Sequence, residues 1–244
     1  MKLLLIAILL PTAGAFLAPS TKSVSFETSL ANDLNGWVPD EKKFAFGLPG
    51  ALDPVGDFDP LGISENTGLI QMKAYREAET THGRVAMLAV IGFLVTEAPL
   101  SFHPLFNTAS RDIGPAIRHL DEVRASAPFF FEILALIIGG AEVTRAITGW
   151  AEPGNKEELI LKEDYYPGDI GFDPLGLKPD NFEEFSIMST KELQHGRLAM
   201  LGIAGIVAQE LVNSKEIFVT LGLSPDTFDS TNLPIETYEN LMKI

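Results

Sequence analysis

Apolar residues fall in blocks along this chain, and acidic, turn-rich stretches separate the blocks. Residues 3–10 form a short run close to the N-terminus. Residues 85–95 and 198–208 form two longer ones, and 126–150 carries a third. Extended through their polar flanks, 71–96 and 190–213 each offer about 25 helix-compatible residues. At 1.5 Å rise per residue, that length crosses ~30 Å of hydrocarbon with some tilt. The pattern predicts an all-α integral membrane chain with three transmembrane helices, at about 71–97, 126–148 and 190–213. A short amphipathic helix is expected near the C-terminus.

The polar flanks carry the information. Glu79, His82 and Arg84 stand at the mouth of the first helix, and Glu192, His195 and Arg197 at the mouth of the third. Both read E-x-x-H-G-R-[VL]-A-M-L, then small and aliphatic residues ending in Glu97 or Glu210. Ahead of each copy, by about twenty residues, stands an FDPLG turn: Phe58, Asp59, Pro60, Leu61, Gly62, and Phe172, Asp173, Pro174, Leu175, Gly176. The order is the same twice, so the chain contains an internal duplication. A lone guanidinium in an apolar medium costs a few kcal/mol even on the most lenient scale. The repair with fewest parts is a crossed pair of helices, with Glu79 neutralising Arg197 and Glu192 neutralising Arg84. Gly83, Ala86, Ala89 and Gly92, with Gly196, Ala199, Gly202 and Gly205, supply the small surfaces a close crossing needs. Glu142 and Arg145, at i, i+3, pair within the middle helix.

Composition narrows the chemistry. A net charge of −15 with a mean hydropathy of +0.17 segregates charge from apolar surface. No basic stripe exists to neutralise phosphates, so nucleic acid is not an expected partner. The absence of cysteine removes disulfides, thiolate zinc sites and cysteine nucleophiles. Residues 1–15, with Lys2, an apolar run and a small-residue exit, have the pattern of a signal peptide. Residues 16–30 are hydroxylated and poor in acids, as in a plastid transit segment. The remainder, 31–244, is read as one domain. Such a two-part leader resembles that of algae whose plastids derive from a secondary endosymbiont.

Three chemistries suit paired glutamates and imidazoles on membrane helices. A hydrolytic metal site lacks H-E-x-x-H spacing, and the four histidines are dispersed. A repeat-built transporter calls for helices broken near the midplane, which are not signalled here. A tetrapyrrole scaffold needs only single axial N or O donors scattered along helices. A heme or metal redox enzyme remains an alternative of another class.

The doubled E-x-x-H-G-R-x-A-M-L behind FDPLG turns resembles the light-harvesting chlorophyll-binding protein family, over about residues 56–221. That resemblance implies a non-enzymatic thylakoid protein whose chlorophyll magnesium ligands are Glu79, His82, Glu142, Glu192, His195 and Gln209. Magnesium enters only as the chlorophyll centre. It makes Arg84, Arg197 and Arg145 the ion-pair partners, and the FDPLG turns the holders of carotenoid end groups. The family's glutamine ligand eight residues before Glu142 is Leu134 here, and no further His follows His195. The sequence around Glu77, Asp164 and Gln209 is most similar to the stress-related branch, which dissipates excess excitation as heat when the lumen acidifies. Together with the leader, this implies chlorophyll a, chlorophyll c, fucoxanthin and diadinoxanthin or diatoxanthin. Implied partners are the thylakoid lipid membrane, other antenna proteins and a photosystem I or II core. The alternative within the family is a plain fucoxanthin-chlorophyll antenna without a quenching role.

Loop charges orient the helices. Lys42, Lys43, Lys73 and Arg76, with Lys156, Lys162, Lys178 and Lys191, put the N-terminal side and the 149–191 loop on the cytosol-like face. The lumenal face then receives Asp121, Glu122, Glu210 and Glu216, the candidate pH sensors, with Glu97, Asp112, Asp226, Asp229, Glu236, Glu239, His103 and His119. Clustered carboxylates at a membrane edge can protonate at mildly acidic pH through mutual repulsion and desolvation.

Overall fold

A computed structural model describes residues 34–97, 100, 102, 104–105, 114–151 and 161–225. The expected leader, His103, Asp112, and the tail with Asp226, Asp229, Glu236 and Glu239 lie outside the described residues. The regular structure of those described is helical, joined by turns and loops, and contains no strand, only the isolated bridges Leu52–Gly56 and Trp150–Leu161.

The first long helix, α1, runs Leu69–Thr96. A short helix, α2, follows at His119–Ser126, and the middle helix, α3, is Phe130–Gly149. The second long helix, α4, is Phe182–Asn213, and one turn, α5, follows at Ile217–Thr220. Helix α4 starts about eight residues before the expected 190. Asn181 caps it by accepting a hydrogen bond from the Glu183 amide at 3.2 Å, and Glu183 and Glu184 complement the positive end of its dipole. Ser214, in the left-handed region at φ 52°, stops it. Helix α2, with the 3-10 turn Ala116–Arg118 ahead of it, lies in a connection where hydropathy gives no signal. Of the expected C-terminal helix, the described residues hold only the single turn α5.

The expectation of three spans needs correction at the level of single helices. Among the described residues, no single helix is long and apolar enough to cross a membrane; only α2 and α3 together satisfy length and composition, and they are bent by 109°. The reason is local. The first halves of α1 and α4 carry the charged residues that pair with one another, and α3 holds Glu132, Glu142 and Arg145.

Helices α1 and α4 cross at Gly83 and Gly196. A Cβ placed on Gly83 would lie 3.0 Å from the Gly196 Cα, and one on Gly196 would lie 2.9 Å from the Gly83 Cα. Backbone meets backbone there, so even a methyl group has no room. Ahead of the crossing, the segments that lead into the two helices form the main buried cluster: Leu34, Trp37, Ala45, Leu48, Met72 and Tyr166. Phe182 and Phe185 at the start of α4 pack against it. Tyr166 meets Trp37 edge-on at 6.1 Å and Phe185 at 5.1 Å, geometries that aromatic quadrupoles favour. This cluster pins the entry ends of both long helices in one place.

Helix α3 stands differently. Of its residues, only Gly149 is buried. Its C-terminal end is tied down: Lys162 Nζ donates to the Ile147 carbonyl at 2.6 Å and the Thr148 carbonyl at 3.1 Å, and Gly149 sits against the Tyr165 ring. A cation at carbonyls the helix leaves free is a favourable cap.

The crossing predicts a contrast. Gly83→Ala should destabilise the protein by about 1–3 kcal/mol through overpacking. Gly92→Ala, on the same helix with open space around it, should be neutral or stabilise by up to about 1 kcal/mol. Thermal unfolding followed by circular dichroism in detergent tests both, and equal effects would contradict this account of the crossing.

Candidate pigment-binding site

The structure forms two reciprocal ion pairs across the crossing. Arg84 Nε lies 2.6 Å from Glu192 Oε1, and Arg197 Nε lies 2.7 Å from Glu79 Oε1. Each arginine has a second bond that the sequence reading did not contain. Arg84 Nη1 donates to the Gly168 carbonyl and Arg197 Nη1 to the Gly50 carbonyl, both at 2.8 Å. Gly50 and Gly168 are the glycines of Pro-Gly turns that precede the two FDPLG turns, so the duplication includes these acceptors. Both have positive φ, 134° and 85°. A Cβ would meet Leu193 at 2.5 Å at the first and Thr80 at 2.9 Å at the second. The repeated Pro-Gly is the signal that could have found them.

The two copies are not equal. Glu79 also pairs with Arg76, whose Nε lies 3.2 Å from its Oε2, whereas the position matching Arg76 in the second copy is Ser189. Arg76 in turn donates to the Pro49 carbonyl. Its neighbour Glu77 is buried and accepts hydrogen bonds from the Tyr165 hydroxyl at 2.9 Å and the Gly168 amide at 2.5 Å. Burial, then the adjacent Glu77 carboxylate, pushes the Tyr165 phenol above its ordinary value, so it remains a donor.

His82 and His195 occupy matching exposed positions on α1 and α4. Their Nδ1 atoms each lie 2.7 Å from the carbonyl four residues back, Ala78 and Lys191. A carbonyl only accepts, so Nδ1 carries the proton and Nε2 keeps a free lone pair. That tautomer is what an axial ligand requires. On α3, the exposed carboxylate of Glu142 has its two oxygens 3.1 and 2.9 Å from Arg145 Nη1. Gln209, near the far end of α4, has a buried Nε2 with no hydrogen-bond partner. These donors are scattered singly along three helices. Among the described residues, no group of three or more metal-ligating side chains converges on one ion.

Each FDPLG turn is closed by its aspartate. Asp59 accepts from the Ser64 hydroxyl and the Ser64 and Ile63 amides, and Asp173 from the Lys178 and Leu177 amides. Those donors hold both carboxyls below their ordinary values. Pro60 and Pro174 sit inside the turns, Gly62 and Gly176 take the left-handed conformation, and Phe58, Leu61, Phe172 and Leu175 are left exposed. Beside the second turn opens a cavity of about 650 Å³, lined by Arg84, Tyr166, Phe172, Leu177, Met188 and Glu192 among others.

At the other end of the crossed pair, Glu97 and Glu210 are buried against each other. Glu97 accepts from the Ala116 amide at 3.2 Å and the Ile217 amide at 2.8 Å, and Glu210 from the Ile117 amide at 3.0 Å. Glu210 Oε1 is buried with no hydrogen-bond partner. Glu216 acts electrostatically on Glu210, and Asp121 and Glu122 occupy the first turn of α2. His119 is buried, with Nε2 3.3 Å from the Gly114 carbonyl.

The family model described as Chlorophyll A-B binding protein matches residues 44–211, which include both reciprocal ion pairs and the candidate ligands from Glu79 to Gln209. The chain belongs to the chlorophyll a-b binding protein family. It is 46% identical over 209 residues to the Light-harvesting complex stress-related protein 3.2, chloroplastic, of Chlamydomonas reinhardtii, covering 84% of this chain and 80% of that protein. It is 48% identical over 175 residues to the Fucoxanthin-chlorophyll a-c binding protein, chloroplastic, of Isochrysis galbana, covering 70% and 79%. A Fucoxanthin-chlorophyll a-c binding protein from Chattonella marina var. antiqua is 31% identical over 204 residues, covering 84% of each chain. This chain is therefore a light-harvesting, chlorophyll-binding antenna protein and not an enzyme. The redox-enzyme alternative falls with that result.

The ion pairs predict a graded loss. Arg197→Leu leaves Glu79 with Arg76 alone and should cost about 2 kcal/mol, between the exposed and buried limits for a broken pair. His82→Leu, which breaks no ion pair, should leave stability within about 0.5 kcal/mol. Chemical denaturation of both variants checks this, and equal destabilisation would refute it.

Proposed function

We propose that this antenna holds chlorophyll through Glu79, His82, Glu142, Glu192, His195 and Gln209 in a thylakoid membrane, and dissipates excess excitation when the lumen acidifies. The free Nε2 of both histidines carries the ligand reading, because the same tautomer is set in both copies by the same backbone contact. Glu79, Glu192 and Glu142 each pair with arginine. Their charge is thereby offset, wholly or in part, while an oxygen lone pair remains for coordination. Bound chlorophyll would supply visible absorption and excitation transfer; the protein's part is spacing and orientation.

The FDPLG turns, with four exposed apolar side chains and the adjoining cavity, suit the end groups of carotenoids. Relatives named fucoxanthin-chlorophyll a-c binding proteins favour chlorophyll a, chlorophyll c and fucoxanthin; diadinoxanthin or diatoxanthin is our proposed photoprotective pair. Exposed Val85, Leu88, Leu136, Ile137, Leu198 and Leu201 on the three long helices need an apolar surrounding, which lipid and pigment provide. No described helix qualifies as a span by itself; we propose that α1, α3 and α4, with their charges paired or placed at the ends, cross the membrane together as three spans. We place it in the plastid, reached by the two-part leader, beside other antenna proteins and a photosystem core.

The stress-related relatives support the photoprotective role. Lumenal acids are its proposed sensor, with Glu210, Glu216, Asp121 and Glu122 at one end of the molecule. Protonation removes charge there and lets the carboxyls donate to one another, so acid tightens that end and neutral pH loosens it. A plain antenna would show no such response.

Two measurements test the proposal. The purified protein should carry chlorophyll and carotenoid absorption bands, and His82→Leu and His195→Leu should each lose a chlorophyll component. The chlorophyll fluorescence lifetime should shorten between neutral and mildly acidic pH, and neutralising Asp121, Glu122, Glu210 and Glu216 together should abolish the shortening. Persistent shortening in that variant would sink the sensor assignment.

A further inference from the structure

Glu77 has no place among the candidate ligands, yet it is one of the most thoroughly buried charged groups in the described residues, with a side chain 3% exposed. Burying a carboxylate without compensation is costly, and its surroundings compensate it on two sides. On one side Oε2 accepts the Tyr165 hydroxyl and the Gly168 amide. On the other, Oε1 lies 3.0 Å from Arg145 Nε, an ion pair by distance without hydrogen-bond geometry. Tyr165 is itself held, packed against Gly149 at the end of α3. Glu77 is thus a fixed negative charge where α1, α3 and the second Pro-Gly turn meet.

Arg145 reaches from this anchor to Glu142. Its Nη1 sits within 3.1 Å of both Glu142 oxygens. A donor placed between the two oxygens uses their inward-facing lone pairs and leaves the outward-facing ones free. Alone, an exposed i, i+3 ion pair on a helix surface is weak and would let both side chains wander. The Glu142 side chain is 55% exposed and has no other hydrogen-bond partner among the described residues. What removes the freedom of Arg145 is Glu77, one helix away.

We infer that Glu77 is a positioning residue for the chlorophyll site on α3, acting through Arg145 to hold the Glu142 carboxylate in register with the ligands of α1. The inference rests on Glu142 being an axial ligand. It also assigns the arginine a second task. Arg145 is shared between two carboxylates, so Glu142 is only partly neutralised and keeps more anionic donor character than Glu192, whose arginine pairs with one carboxylate. The second copy has Thr190 where Glu77 stands in the first, so the device exists once, on the side where α3 attaches.

The test uses the full chain reconstituted with chlorophyll a, chlorophyll c and a carotenoid mixture, and compares low-temperature absorption spectra. Glu142→Leu identifies the component belonging to that site. Glu77→Gln keeps the shape and the acceptor for Tyr165 and Gly168 but removes the charge facing Arg145. It should lose or shift that same component while the components assigned by His82→Leu and His195→Leu stay in place. A wild-type spectrum for Glu77→Gln, with the component missing in Glu142→Leu, would overturn the inference and leave the ligand reading intact. No loss in Glu142→Leu would overturn the ligand reading and the inference with it. A uniform fall in all components for Glu77→Gln would mark it as a structural tie only, against the inference. If Glu77→Gln does not assemble, Tyr165→Phe removes one of the bonds fixing the Glu77 carboxylate without changing charge. An unmoved Glu142 component in that variant would count against the positioning role.

Discussion

The structure depends on a contact with no side chains in it, the meeting of Gly83 and Gly196. Only because the two backbones touch there can Arg84 reach Glu192, and Arg197 reach Glu79, across the interface. Without those partners each arginine would be an unpaired cation in apolar surroundings, Glu192 would be an unpaired anion, and Glu79 would keep Arg76 alone. The glycines and the ion pairs are therefore one device, in which close approach makes neutralisation possible and neutralisation makes the close approach tolerable. The Pro-Gly turns complete it by taking up the second donor of each arginine.

Around this near-symmetric centre the chain is asymmetric. The first copy carries Lys73, Arg76 and Glu77 where the second has Ser186, Ser189 and Thr190. Lys73 Nζ donates to the carbonyls of Lys162 and Glu163, and Glu77 holds Arg145, Tyr165 and Gly168. All these bonds point to α3 or to the segment that follows it. Among the described residues, the middle helix, which offers little buried surface of its own, is tied to the crossed pair through the first copy. An antenna protein gains from such an arrangement. Rigid ties at the helix end fix the place of α3, while most of its apolar surface stays exposed.

Much of this was legible along the chain. The doubled E-x-x-H-G-R, the FDPLG turn before each copy and the small residues after it pointed to crossed helices with reciprocal pairs, and those are the pairs formed. The existence of three long helices followed from the apolar blocks, although α4 starts well before its apolar part because Asn181 supplies a cap that hydropathy does not register. The two arginine-accepting carbonyls of Gly50 and Gly168 were marked only by a repeated Pro-Gly. Helix α2 had no signal at all.

What the sequence by itself determined is whatever repeats or follows a local period: the duplication, the helix faces, the residue types at each mouth, and the family. Spacing along a helix says which side chains share a face, since 3.6 residues per turn is a local property. What only the tertiary structure decided is the charge sharing beyond the reciprocal pairs, above all that of Glu77 with Arg145. Glu77 and Glu79 are two residues apart and look equivalent in sequence, yet one faces Arg145 on α3 and the other Arg197 on α4. Two residues turn a helix by about 200°, so neighbours point to opposite sides. The partner waiting on each side is set by how the helices pack.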